Sequence, residues 1–217
     1  MKKYILVFIL LALVSLWANA SNDAYLKAME KSITELWQAR SVSELQIAAN
    51  SFARIADLNP DKWLPPYYVA VAYAQMGFRS DESVQVQDSY FSMAKANIEE
   101  AAALSPDNSE VVAVMGFITM GELSLDPASR GQHLSPLAMQ ALGKAVELNP
   151  KNPRALVMMA QMELGTAQFF GQGPEKACNW LNRSLEAFAQ EASETTVGDI
   201  QPRWGSIMAE QMKAQCP

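Results

Sequence analysis

The stretch AVELNPKNPRALVMMAQMELG, residues 145–165, decides the fold: one apolar run stops at Leu148-Asn149-Pro150 and another starts at Pro153. Asn-Pro ends a helix because proline cannot continue the hydrogen-bond ladder, and a second proline in a first turn costs nothing, its missing N–H being unpaired there anyway. The same punctuation recurs in ADLNPDKWLPPYYVAVAYAQMG (56–77) and AALSPDNSEVVAVMGFITMG (102–121). Aligned on Pro60, Pro106 and Pro150, which stand 46 and 44 residues apart, the chain repeats itself. Twelve residues before each proline is Ala48, Ala94 or Ala138, eight before is Phe52, Ile98 or Leu142, and ten after is Ala70, Gly116 or Ala160. Small residues recur where two helices must touch, and bulky ones recur one turn away, so the chain reads as a helical repeat.

The pattern resembles the tetratricopeptide repeat. In that family helix B carries a small residue, a bulky one four later and a terminating proline. Helix A carries a large-small pair, matched by Val69-Ala70, Met115-Gly116 and Met159-Ala160. The resemblance covers most of residues 42–190 and implies an all-α, right-handed stack of antiparallel helix pairs. The period departs from the family's 34 residues or so. The excess falls in FRSDESVQVQDSY (78–90) and ELSLDPASRGQHLSP (122–136), polar stretches expected to form loops or short added turns.

Expected helices cover 23–40 with 42–57, 64–77 with 88–104, 109–122 with 135–148, and 153–168 with 174–190. Ser41 and Glu44 have the spacing of a capping box. A polar linker, EASETTVGDIQ (191–201), then leads to an expected capping helix at 202–215, with Trp204, Met208 and Met212 as its apolar stripe. Pro65, Pro153, Pro174 and Pro202 are all placed in first turns.

Residues 152–188, NPRALVMMAQMELGTAQFFGQGPEKACNWLNRSLEAF, followed by PRWGSIMAEQMKAQC (202–216), also resemble a family of exported tetratricopeptide proteins from Bacteroidota-type bacteria. That family implies a signal peptide, a closing Trp-Gly helix and a final cysteine, but no activity. In FFGQGPEK the plain reading is that Gly171 and Gly173 supply positive φ where helix A reverses into helix B.

The first twenty residues read as a secretory leader: MKK, the apolar run YILVFILLALVSLW, then ANA at 18–20. A retained anchor is the alternative. One domain is expected over 21–217, periplasmic or otherwise exported, and removal of Lys2 and Lys3 takes the formal net charge from −6 to about −8. No cluster of Lys and Arg exists to track phosphates, which argues against nucleic acid. In an oxidising compartment Cys178 and Cys216 read as a disulfide closing a 39-residue segment, with two buried free thiols as the alternative.

Chemistry is sparse. His133, the one histidine, has no ligand set at metal spacing and no nucleophile beside it. No GxxxxGK phosphate loop occurs, and Glu163 alone is not a catalytic constellation, so no enzyme, metal or cofactor is expected. The resemblance places the concave groove at Leu64, Tyr67, Val71 and Ala74, then Glu110, Ala113, Phe117 and Met120, then Arg154, Val157, Gln161 and Leu164. These positions lack the Lys, Asn and Arg set that grips a peptide carboxylate. A mostly apolar groove remains, for a protein or peptide ligand in the cell envelope, with Tyr67 and Phe117 as anchors and Arg154 and Glu110 as isolated charges. A homodimer through the same face, and a face covered by the chain itself, stay open.

Overall fold

The computed structural model describes residues 22–196 and 198–216, so the leader lies outside the described residues. Among them are nine α-helices and no strand: α1 (22–38), α2 (Val42–Leu58), α3 (Leu64–Arg79), α4 (Val84–Leu104), α5 (Ser109–Leu125), α6 (Pro127–Leu148), α7 (Pro153–Phe170), α8 (Glu175–Glu194) and α9 (Ser206–Met212). A short 3-10 turn, Lys213–Gln215, follows α9.

Helices α3 and α4, α5 and α6, and α7 and α8 pack as pairs, and α3, α5 and α7 form a continuous inner row. The recurrent small positions are the contact points: Ala48, Ala70, Ala94, Ala138 and Ala160 are fully buried, as are Phe52 and Leu142. A Cβ added to Gly116 would lie 2.7 Å from Leu142 Cδ2, too close for any relaxed contact. Gly77 and Gly121 flank the Phe91 ring in the same way, so that ring of α4 wedges between α3 and α5. Interiors packed this tightly resist added volume, so Gly116→Leu and Ala160→Leu are each expected to destabilise by about 1–3 kcal/mol. Unchanged thermal melting of both variants would contradict the helix register.

The start of α2 carries the expected capping box: Glu44 N donates to Ser41 Oγ at 3.2 Å, and Ser41 N to Glu44 Oε2 at 3.1 Å. Backbone N–H donation from Arg40 and Ser41 holds the Glu44 carboxyl below its ordinary range. Gly171 caps α7 in the left-handed region at φ 64°, whereas Gly173 does not adopt positive φ, correcting that expectation.

Two further expectations need correction. The polar insertions are mostly helix rather than loop: α4 begins at Val84 and α6 at Pro127, with Pro136 inside the helix. Ser83 Oγ and Asp126 Oδ1 cap these starts. Arg130 of α6 then makes a forked pair with Asp88 of α4, at 2.6 and 2.7 Å, and donates to the Glu122 carbonyl at 3.0 Å. The charges that made the segments look like solvated loop tie the two extended helices together. The last helix is α9 at Ser206–Met212, not 202–215, because Gly205 stands at φ 103° and ends the extended residues before it.

Candidate functional site

Those extended residues define the inner face. We call 199–205, Asp-Ile-Gln-Pro-Arg-Trp-Gly, the strap. It lies against α3, α5 and α7 and delivers Trp204 among residues far earlier in the chain, Tyr67 being 137 positions away. The Trp204 indole N–H donates to Tyr67 Oη at 2.9 Å, and Tyr68 Oη donates to the Ile200 carbonyl at 3.2 Å. Its ring lies 5.4 Å from that of Phe117 on α5 and stacks on Trp37 of α1 at 6.1 Å. An added Cβ on Gly205 would come within 3.0 Å of Phe188, so the turn needs glycine for space as well as for φ.

Arg154 fastens the strap. Its side chain is 3% exposed, forks onto Glu110 at 2.6 and 2.8 Å and onto Glu191 at 2.6 and 3.1 Å, and donates to the Trp204 carbonyl at 3.3 Å. Burial works against its charge, but Glu110 and Glu191 more than offset that and hold it protonated. Burial, with Glu110 nearby, pushes the Tyr67 phenol well above its ordinary range. Arg203 continues the network to Glu191 and Asp199. The polar cavity of about 360 Å³ beside it is lined by Glu110, Arg154, Glu191 and Arg203 with Lys151 and Gln190.

The residues placed in the groove by sequence divide into three groups. Leu64, Tyr67, Val71, Phe117 and Val157 are buried; Arg154 is buried in its ion network with half-buried Glu110; Met120 and Gln161 are half-buried. Tyr67, Glu110, Phe117 and Arg154 are brought together by the strap. Trp204, read as part of a capping stripe, is instead its central anchor. Two aromatics not singled out in the sequence remain open at the edge of the cluster. Trp37 is 38% exposed, and Phe78 is 39% exposed with its ring 4.8 Å from Phe117. Trp37, Trp204, Phe117 and Phe78 thus form one run of rings from α1 to α3, its inner members buried and its outer members facing solvent.

Cys178 and Cys216 form a disulfide, with Cα atoms 5.6 Å apart, tying the chain end beyond α9 to the first turn of α8. His133 is exposed on α6, and Glu163 pairs with Lys176 at 2.7 Å across α7 and α8. Among the described residues no group of three or more His, Cys, Asp or Glu could hold a metal ion, and no helix is long and apolar enough to cross a membrane.

Paired helices, small residues at the crossings and an inner row of A helices define a helical scaffold of the tetratricopeptide type. Among solved structures, the chain is similar to the HusA haemophore from Porphyromonas gingivalis, at 27% identity and a TM-score of 0.77, over 89% of this chain and 94% of that one. It is also similar in fold to a thermophilic tetratricopeptide protein of Thermus thermophilus, at 15% identity and a TM-score of 0.53, over 87% and 92% of the two chains. No protein-family model and no curated protein sequence matches the chain.

Proposed function

We propose that this chain is an exported carrier of a planar tetrapyrrole, haem or its metal-free porphyrin, bound against the exposed rings of Trp37 and Phe78, an aromatic wall that Trp204 and Phe117 back from within. The observation that carries this reading is the likeness to a haemophore over nearly the whole length of both chains. The wall suits such a ligand chemically: a flat conjugated macrocycle gains from offset stacking on exposed rings and from burying its apolar area. The wall is built from α1, α3, α5 and the strap, and the one histidine, His133, belongs to none of them. Stacking rather than imidazole ligation of iron therefore holds the ligand in this reading. The disulfide and the N-terminal sequence support export, with the periplasm as destination.

The test is a titration of the mature chain with haemin and with metal-free protoporphyrin IX, followed by tryptophan quenching and porphyrin absorbance. Both are expected to saturate at one ligand per chain, with micromolar or tighter affinity. Trp37→Ala and Phe78→Ala are each expected to weaken binding about tenfold, the scale of a well-placed aromatic contact. Absence of saturation with either porphyrin would sink the reading.

A second reading, a groove for an envelope protein or peptide, is favoured by one observation: the strap already lies on the inner face as an extended peptide would, its carbonyls taken by Tyr68 and Arg154. Porphyrin failure, with capture of an envelope protein that a strap peptide competes off, would put this reading first. A solution mass of twice the chain would favour self-association instead.

A further inference from the structure

We propose that Trp204 is a positioning residue for the ligand-facing wall. In this role the strap is the part of the site that holds Trp37 in a geometry a flat ligand can use. The inference rests on the tetrapyrrole reading and deepens it, because Trp204 itself is only 5% exposed and so acts through its neighbours.

Three observations converge. First, Trp204 joins otherwise separate helices: it stacks on Trp37 of α1, packs beside Phe117 of α5 and donates to Tyr67 of α3. Trp37 lies one residue from the end of α1, where a helix frays, and the aromatic ring it stacks on is Trp204. A large side chain at a helix end, left without a rigid ring behind it, samples other rotamers, and each ordered rotamer-rich group costs binding free energy when a ligand must fix it. Second, the strap cannot slide. The Ile200 carbonyl is held by Tyr68, the Trp204 carbonyl by Arg154, and the turn after it by Gly205 at positive φ between Phe188 and Arg154. Third, the two outer rings share one construction. Phe78 leans on Phe117 and on Phe91 at 5.2 Å, both fixed within the helix stack, while Trp37 leans on a ring supplied from the other end of the chain. The Phe78 side of the wall is therefore set by the repeat itself, and the Trp37 side is set by the strap.

The positioning role links two quantities that simple packing would leave independent. Ligand affinity and the local environment of Trp37 should change together when the Trp204 ring is removed, and both should return when a smaller aromatic ring is restored. The experiment uses the mature, oxidised chain, haemin and metal-free protoporphyrin IX as probes, and ¹⁵N–¹H spectra in which the Trp37 indole N–H is assigned. Trp204→Leu is expected to weaken porphyrin binding at least tenfold and to move the Trp37 resonance towards its position in unfolded chains. Trp204→Phe, which keeps a smaller ring and loses the N–H to Tyr67, is expected to bind within about threefold of wild type with Trp37 held. Trp204→Met, which fills the space without a ring, takes the place of the leucine variant if that variant does not fold. Binding within twofold of wild type for the ringless variant overturns the inference, as does an unmoved Trp37 resonance in it. If wild type binds neither porphyrin, the tetrapyrrole reading falls. The Trp37 resonance then still decides positioning: displaced in the ringless variant and restored in Trp204→Phe, it upholds the prop, and unmoved it removes it.

Discussion

Arg154→Ala is expected to destabilise the protein by about 3–5 kcal/mol, because it leaves Glu110 without its cation and Glu191 with only the longer pair to Arg203 at 3.7 Å. Glu110 and Glu191 retain side-chain exposures of 17% and 15%, against 3% for Arg154, so neither can reach water fully once the guanidinium is gone. The loss has a second part. The Trp204 carbonyl loses its donor, and the strap loses one of its two backbone anchors on the helix stack. Breaking a buried pair is far costlier than replacing it, so Arg154→Met combined with Glu110→Gln and Glu191→Gln should recover much of the loss. Urea unfolding checks both variants, read as a shift of the midpoint at constant slope. A single-variant loss below about 1 kcal/mol would show that the network is solvated and contributes little.

Opening the Cys178–Cys216 bond is expected to cost about 4 kcal/mol on the chain-entropy estimate, for partners 38 residues apart in sequence. The segment it closes contains all but the first three residues of α8, the strap and α9, and α9 has only seven residues. A helix that short has no stability of its own and depends on tertiary contacts, supplied by Ala209 and Met212. Cys178→Ser with Cys216→Ser, compared with wild type with and without reductant, separates loss of the bond from the effect of the serines. The oxidised chain should show no reactive thiol until it unfolds. Labelling of both cysteines in the folded, non-reduced protein would contradict the bridge.

The repeat was legible because its signals are local and recur: Pro60, Pro106 and Pro150 end helices for a steric reason, and Ala94, Gly116 and Ala138 mark fully buried or close helix crossings. The boundaries of α4 and α6 were less so. Arg130 looks like a loop charge in sequence, and its partner Asp88 on the other extended helix is 42 positions away. The inner face was legible as a set of helix positions, but its covering was not. Trp204 to Tyr67 spans 137 residues, and no periodicity encodes a contact made by a single pass of extended chain. The one local hint was Gly205 after Trp204, a residue able to break a helix that Pro202 would otherwise start. Trp37 and Phe78 were missed because each reads as an ordinary apolar residue near a helix end, and nothing local marks either as 38% and 39% exposed.

Chemical-shift mapping with metal-free protoporphyrin IX tests most directly whether the proposed ligand sits at the open edge of the strap-covered inner face. The indole N–H signals of Trp37 and Trp204 are expected to shift or broaden as ligand is added, while that of Trp180, on α8 beneath Arg183, stays in place. Perturbation centred on Trp180, or on the exposed Phe169 and Phe170 with Trp37 unmoved, would place the ligand elsewhere and contradict the account.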